Sequence, residues 1–276
     1  MSSQMKIAAK KRFGQHFLRD TGVLDRIVRL IEPASNDLII EVGAGDGALS
    51  TRLAPLASRL VAIEIDQDCL ARLEPNLSEY PAAKILSADI LKTDIDEMVA
   101  EEIRPGQSLR VVGNLPYNIA TSIIERFLHC KPPISIMVFM VQLEVAERIV
   151  ALPGSRQYGY FSVACQRLAA VKMHFKVSPS CFVPRPKVTS AVISLCPYNR
   201  VRDDEFQRCF EAMAKAGFGH RRKTLANSLR RHQEIGVHAD QILADAAIDP
   251  SRRAEDLSVS EFEKLTAIWL HSFPPS

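Results

Sequence analysis

Long apolar runs, metal-binding cysteine pairs and low-complexity segments are all missing from this chain of 276 residues. The longest apolar stretch, Ile134–Leu143, contains Gln142 and is far shorter than the roughly 20 residues of a membrane-spanning helix. The six cysteines have no CxxC spacing and no zinc spacing to a histidine, so we expect buried free thiols and no metal site. Residues Met1–Arg12 lack the apolar core of a secretory signal, which predicts a cytoplasmic protein with no membrane contact.

The charge of the chain is small overall but unevenly distributed. The net charge is +3, with 24% charged and 47% hydrophobic residues, as in ordinary globular proteins. Residues Arg185–Arg231 contain 11 Lys and Arg against 4 Asp and Glu, and Met1–Ile31 contain 7 against 2. Clustered positive charge suits a phosphate backbone, because its neutralisation releases counterions. A solvated basic face without a ligand explains the same counts.

Short apolar runs alternate with helix-like segments between Leu38 and Cys196, which is typical of a parallel sheet covered by helices. The last two runs are joined by the Pro-rich stretch Ser178–Lys187, which has no room for a crossover helix. We therefore expect those two strands to pair antiparallel at an edge. Seven strands of one sheet are predicted: Leu38–Val42, Leu60–Ile65, Ala83–Leu86, Leu109–Val112, Ile134–Val141, Val171–Val177 and Ser190–Leu195.

After Pro197 the pattern becomes helical. Ser258 and Glu261 form a capping box at the start of the last predicted helix. The sequence therefore predicts an α/β domain over residues 1–199 and a small all-helical domain over residues 200–276. The predicted helices are Asp203–Ala216, Arg222–Arg231, Ala239–Ala246 and Ser258–Leu270.

A glycine-rich turn, Glu41–Leu49, follows the first strand of the sheet, where doubly wound sheets bind ligands. Gly43 and Gly45 are expected to let the backbone approach a ligand closely. The next strand ends at Glu64, about 20 residues on, where an acid can accept both hydroxyls of a ribose. NAD and S-adenosylmethionine both contain that ribose, so the turn alone does not distinguish a dehydrogenase from a methyltransferase.

Two further loops follow the third and fourth strands. Asp89 is placed to accept a hydrogen bond from the exocyclic amine of the adenine in the cofactor, and a solvated loop charge is the alternative. The loop Asn114–Tyr117, with the sequence Asn-Leu-Pro-Tyr, favours the methyltransferase, since its chemistry suits an adenine amine as the acceptor of the methyl group. A Pro-containing turn with a capping Asn is the alternative for this loop.

The N6 amine of adenine is a poor nucleophile, because its lone pair is delocalised into the ring. Two acceptors can hold its hydrogens and pull the nitrogen towards tetrahedral geometry. We expect the side-chain oxygen of Asn114 and the backbone carbonyl of Leu115 to be these acceptors. Pro116 is expected to stiffen the loop and Tyr117 to stack on the base. Catalysis would then be mainly proximity and orientation, without a strong general base.

A base extruded from RNA needs a second aromatic face. Phe182, in the loop Cys181–Val188, is the candidate, and a phenylalanine buried under an edge hairpin is the alternative. Arg185 and Lys187 in the same loop are expected to contact phosphate.

With these motifs the chain resembles the ribosomal RNA adenine N6,N6-dimethyltransferases linked to kasugamycin sensitivity, over nearly its whole length. Residues Arg12–Leu18 look like the N-terminal motif of that family, which lines the methionine end of the cofactor, and Phe218–Leu229 resemble the start of its helical domain. The resemblance implies a Rossmann-like class I methyltransferase fold, with a seven-stranded sheet and a small all-helical C-terminal domain.

The resemblance also implies S-adenosylmethionine as the cofactor. The substrate implied is a pair of adjacent adenines in the 3′-terminal hairpin loop of 16S rRNA, each methylated twice within an assembling 30S subunit. Arg221, Arg222 and Lys223 fan around a helix start, so phosphate contact is expected rather than base readout. We expect a monomer. The implied cofactor contacts are His16, where many family members have Asn, Leu18, Gly43, Glu64, Asp89 and Asn114.

Three other functions stay open at this point. An erythromycin-resistance type enzyme would modify an adenine of large-subunit rRNA, although the segments 182–187 and 218–223 favour the small-subunit enzyme. A ribosome-assembly factor would depend on binding more than on methylation. A nicotinamide oxidoreductase would need a catalytic His, Lys and Tyr constellation, which we do not find.

Overall fold

The computed structural model describes residues 15–199, 203–220 and 222–273. These residues form two compact units. The first is an α/β unit of residues 15–146 and 170–197, and the second is a helical unit made of the other described residues.

Strands and helices alternate along the first unit, and helices dominate the second. The strands are β1 Phe17–Leu18, β2 Asp37–Val42, β3 Arg59–Glu64, β4 Ala83–Ser87, β5 Ser108–Asn114, β6 Ile134–Gln142, β7 Ala169–Val177, β8 Phe182–Val183 and β9 Ser190–Pro197. The helices are α1 Thr21–Ile31, α2 Ser50–Leu53, α3 Gln67–Leu77, α4 Ile95–Glu102, α5 Ala120–Leu128, α6 Leu143–Ile149, α7 Tyr160–Leu168, α8 Asp204–Phe218, α9 Leu225–Leu229, α10 Ala239–Asp245 and α11 Val259–Ser272.

Seven of these strands form one sheet in the order β4-β3-β2-β5-β6-β9-β7. The first five in that order run parallel, and β9 runs antiparallel to β6. The seven predicted strands are all present, and the last two predicted strands are neighbours at an edge, as expected. The separate antiparallel pair β1 and β8 was not predicted, because two-residue strands far apart in sequence show no periodicity.

The parallel strands β2, β3, β5 and β6 are mostly buried on both faces, which explains why they appear in the sequence as continuous apolar runs, whereas β4 at the edge is partly exposed. Strand β2 is buried over all six residues. The core of this unit packs Ile39, Leu60, Val112 and Val138 with apolar side chains of α1 and α3.

The helical unit has its own core, which includes Phe210 and Trp269. Tyr158 and Val163 pack into the same core, so the segment 147–169 belongs to this unit. The predicted boundary at residue 200 assigned that segment to the first domain. The assignment was wrong because local sequence does not show which core an amphipathic segment joins.

Two helix starts in this unit follow from their capping residues. Ser258 and Glu261 form the predicted capping box of α11. Helix α9 begins at Leu225, later than the predicted Arg222, because the side chain of Thr224 caps it by accepting from the Asn227 amide. None of the helices within the described ranges is long and apolar enough to cross a membrane.

A carboxyl group is buried beneath the glycine turn. Glu41 on β2 is 3% exposed, and the Ser50 hydroxyl donates to its Oε2 at 2.5 Å. Burial raises the pKa of Glu41 to about 8; the Ser50 hydrogen bond opposes this rise, and the charges of Glu64 and Asp46 add to it. The carboxyl is therefore largely protonated at neutral pH.

The raised pKa of Glu41 predicts a pH-dependent stability. Between an ordinary value near 4.5 and about 8, the folded chain keeps a proton that the unfolded chain has lost, so stability falls as pH rises through this range. We expect Glu41→Gln to match the wild-type melting temperature near pH 5 and to exceed it above pH 8. Thermal unfolding followed by circular dichroism measures this, with exposed Glu74→Gln as the control. A difference that does not change with pH would contradict the assignment.

Candidate functional site

A cavity of about 270 Å³ lies at the carboxyl ends of the parallel strands. The glycine turn after β2, the end of β3, the loop after β4 and the loop after β5 all contribute to its wall. Because carboxyl ends of parallel strands meet at one edge, the loops singled out in the sequence lie together here. The lining residues are 15–17, 42, 43, 45, 63–65, 88–91, 114–119 and 123.

The glycine turn contains three residues with a left-handed backbone, Gly43, Gly45 and Gly47, and the first two lie at the cavity. Gly43 and Gly45 have φ values of 71° and 59°, which side chains other than glycine rarely adopt. The amides of Gly43 and Ala44 donate to the Ile63 carbonyl at 2.9 and 3.1 Å. The turn is therefore fixed against the end of β3.

Glu64 is 7% exposed and accepts three backbone hydrogen bonds. Its Oε2 accepts from the Gly45 amide at 2.8 Å, and its Oε1 accepts from the amides of Ile65 and Asp66 at 2.8 and 2.9 Å. A carboxylate has about four lone-pair sites. Glu64 thus braces the turn and can still accept from a ligand in the cavity.

Asp89 lies on the cavity wall beside the apolar side chain of Ile90. Its Oδ1 accepts from the Leu91 amide at 3.0 Å, and its carbonyl accepts from the amides of Lys92 and Thr93. The loop after β4 is therefore folded around Asp89, which presents a carboxylate to the cavity.

The loop after β5 is held very close to β2. A Cβ added to Gly113 would lie 2.5 Å from the Val42 carbonyl oxygen, so only glycine permits this approach. The side-chain nitrogen of Asn114 donates to the His16 carbonyl at 2.8 Å. Because the nitrogen is committed, the Asn114 side-chain oxygen is left as the acceptor at the cavity.

Tyr117 also lines the cavity, and its hydroxyl is hydrogen-bonded to the Ser190 hydroxyl at 2.7 Å. Burial raises the pKa of Tyr117, against the lowering effect of Ser190, so the phenol is neutral. The His16 ring stacks on Tyr117 with centroids 5.5 Å apart, and its Nδ1 donates to the Pro184 carbonyl at 2.9 Å.

The N-terminal motif is only partly visible, because Arg12, Phe13 and Gly14 lie outside the described residues. His16 reaches the main cavity. Leu18 instead lines a smaller neighbouring cavity of about 40 Å³, next to Gly43 and Gly45.

Phe182 is where the structure contradicts the prediction. Its side chain is 1% exposed and packs in the core of the first unit, and its backbone pairs with Leu18. A buried ring has no face open to a base. The alternative, a phenylalanine buried under a hairpin, is what the structure contains.

The residues predicted to contact phosphate are exposed where the structure describes them. Arg185 and Lys187 follow β8, and Arg222 and Lys223 precede α9. Arg221 lies outside the described residues.

Two side chains of the N-terminal motif that were not named individually as site residues also lie at the cavity. Gln15 donates from Nε2 to Asp66 Oδ2 at 2.7 Å, and the Phe17 ring lies 3.3 Å from the position of a Cβ on Gly45. The resemblance marks the motif as a whole, but no local pattern shows which partners these two side chains reach.

Comparison with known proteins places this geometry in a family. The family model for ribosomal RNA adenine dimethylase matches residues 7–269. A protein of Chromohalobacter salexigens named ribosomal RNA small subunit methyltransferase A is 43% identical over 260 residues, which is 93% of this chain and 90% of that protein. Proteins with the same name from Streptococcus thermophilus and Bacillus mycoides are 42% and 41% identical over 93% and 95% of this chain, covering 90% and 92% of their own lengths.

Two solved structures share the fold. A dimethyladenosine transferase from Plasmodium falciparum has a TM-score of 0.79 at 23% identity, over 92% of this chain and 97% of that one. The 23S rRNA methyltransferase ErmE has a TM-score of 0.68 at 24% identity, over 91% and 98%. These likenesses show a Rossmann-like methyltransferase fold. Together with the family match over residues 7–269, they lead to one conclusion: the chain belongs to the ribosomal RNA adenine dimethylase family and is a methyltransferase.

Proposed function

We propose that this chain transfers methyl groups from S-adenosylmethionine to N6 of two adjacent adenines in the 3′-terminal hairpin loop of 16S rRNA, during assembly of the 30S subunit. The observation that carries the proposal is Asn114, whose nitrogen is tied to the His16 carbonyl while its oxygen is left as an acceptor at the cavity. Relatives at 41–43% identity that are named for the small subunit support this substrate. A cytoplasmic monomer is part of the same proposal.

The donor groups around the cavity fit S-adenosylmethionine. Glu64 has about one lone-pair site left, on Oε2, for a ribose hydroxyl, and Asp89 can accept from the exocyclic amine of the adenine. Gly43 and Gly45 keep the turn free of side chains beside the ligand. When bound, the cofactor supplies an electrophilic methyl group on a sulfonium.

The target amine would be oriented by the loop after β5. The side-chain oxygen of Asn114 and the carbonyl of Leu115 accept its two hydrogens and direct the lone pair of N6 at the methyl group. Pro116 brings no competing N–H. Tyr117, held by Ser190, offers the face on which the base stacks. The methylated nitrogen is acidic, so its proton passes to solvent without a strong general base.

The assembly-factor function is compatible with the same surface and is tested separately. In a strain lacking this activity, we would express the Asn114→Ala chain. Restored growth without dimethyladenosine would show that binding matters more than methylation. Failure to restore growth, with 30S binding intact, would assign the phenotype to catalysis.

The substrate is tested by methyl transfer from labelled S-adenosylmethionine to 30S and 50S particles purified from such a strain. We expect N6,N6-dimethyladenosine in 16S rRNA only, identified by nucleoside analysis. Label confined to 50S particles would favour the erythromycin-resistance type of enzyme. No label in either particle would overturn the proposal.

Glu64 and Asn114 are expected to affect different steps. Glu64→Ala loses the acceptor of a ribose hydroxyl and the brace of the glycine turn, so the cofactor Kd should rise by roughly tenfold to a hundredfold. Asn114→Ala should lower kcat by roughly a hundredfold and change the cofactor Kd little, because it removes an acceptor aimed at the reacting amine. Calorimetry with S-adenosylhomocysteine and single-turnover kinetics measure the two effects. An unchanged Kd in Glu64→Ala would contradict the cofactor assignment.

The exposed cations before α9 are expected to contact phosphate. Arg222→Ala and Lys223→Ala should each reduce the slope of log K for RNA against log salt by about 0.7 to 0.9. The matched control is Arg230→Ala, because this guanidinium in the same unit is bound by Asp240 at 2.7 Å. Filter binding from low to moderate salt measures the slopes. Equal slopes in all variants would show that Arg222 and Lys223 do not contact phosphate.

A further inference from the structure

Arg126 ties helix α5 to the loop that carries Asp89. Its Nη1 donates to the Leu91 carbonyl at 2.7 Å, and its Nη2 donates to the Thr93 carbonyl. One guanidinium thus holds two carbonyls of a single loop. The planar fork of arginine is suited to such a double contact, which the point charge of a lysine cannot reproduce.

The loop has an internal framework that Arg126 completes from outside. The Asp89 side chain accepts from the Leu91 amide, and the Asp89 carbonyl accepts from the amide and hydroxyl of Thr93. Leu91 and Thr93, whose carbonyls accept from Arg126, therefore also donate their amides to Asp89. Arg126 and Asp89 are thus linked through the backbone of these two residues.

Helix α5 connects this brace to the cavity. The helix starts directly after the loop that contains Asn114, and Ile123 on the helix lines the cavity. Arg126 lies three residues beyond Ile123, on the same side of the helix. The helix therefore lines the cavity and also holds the loop that carries Asp89.

We propose that Arg126 is a positioning residue for the adenine of the cofactor: it fixes the loop 89–93 so that the Asp89 carboxylate meets the exocyclic amine. The inference rests on the proposed function, because it requires a bound adenine. Its specific consequence is that loss of the brace weakens recognition of the amine, whereas a merely structural role would weaken binding of every nucleoside equally.

The test uses calorimetry with two probes, S-adenosylhomocysteine and S-inosylhomocysteine, which carries an oxygen in place of the amine. Wild-type protein should prefer the first. Arg126→Met should raise the Kd of S-adenosylhomocysteine about tenfold and that of S-inosylhomocysteine little. The preference for the amine should therefore be lost, as we also expect for Asp89→Ala. The double variant Arg126→Met, Asp89→Ala should bind S-adenosylhomocysteine no more weakly than Asp89→Ala alone, because both substitutions remove the same contact to the amine. If Arg126→Met does not fold, Arg126→Lys takes its place. This variant should reduce the ratio of the two Kd values about threefold relative to the wild-type protein.

Arg110 provides a matched control at the other end of β5. It is also a half-buried brace, with Nε donating to Asp37 at 2.5 Å and Nη1 to the Ile31 carbonyl at 2.7 Å. Arg110→Met should lower the melting temperature and keep the preference for the amine. An unchanged preference in Arg126→Met, or an equal loss of preference in Arg110→Met, would overturn this inference and leave the proposed function standing. Wild-type protein that binds neither probe would overturn the proposed function and the inference with it.

Discussion

Three backbone amides that donate to one carboxylate hold the site together. Glu64 accepts from the Gly45 amide in the turn after β2 and from the amides of Ile65 and Asp66 at the end of its own strand. These three hydrogen bonds fix the distance between the ends of β2 and β3. The backbone hydrogen bonds from the glycine turn to the Ile63 carbonyl hold the same two strand ends together. Since the carboxyl ends of β4 and β5 meet the same edge, every other group at the cavity is placed relative to this carboxylate. Burial, with a smaller contribution from the charge of Glu64, raises the pKa of Glu41 to about 8, so this buried carboxyl keeps its proton at neutral pH.

The central strands β2, β3, β5 and β6 could be predicted because burial on both faces requires continuous apolar runs, which are visible in the sequence. The assignment of the segment 147–169 to the helical unit could not be predicted in this way. Tyr158 and Val163 are apolar in either assignment, and only the tertiary structure decides that they pack with Phe210 and Trp269. The same limit applies to helix ends. The capping box at Ser258 could be predicted from the sequence, whereas the start of α9 at Leu225 depends on a single weak hydrogen bond of 3.4 Å to the Thr224 side chain.

In the site, the sequence pointed to residues that follow strand ends, because topology alone brings them to one edge. Glu64, Asp89 and Asn114 are of this kind, and all three line the cavity. The residues that hold them in place were not predictable in this way. Gly113 is required by a contact with the Val42 carbonyl, and Arg126 acts through carbonyls more than 30 residues away in sequence. Such supporting contacts depend on distances between elements, which no local pattern of residue types encodes.

The burial of Phe182 changes how the target base has to be held. With that ring in the core, Tyr117 and His16 are the stacked aromatic pair at the cavity, and Tyr117 is the one whose hydroxyl is fixed by Ser190. A base stacked between two rings needs roughly 7 Å between those rings, since each of the two gaps is about 3.5 Å wide. The 5.5 Å between the His16 and Tyr117 centroids leaves no room for a purine between them. A base therefore reaches Tyr117 only by displacing His16 or by approaching the other face. In the proposed mechanism, orientation of the amine then depends on the acceptors at Asn114 and Leu115 rather than on stacking between two aromatic rings.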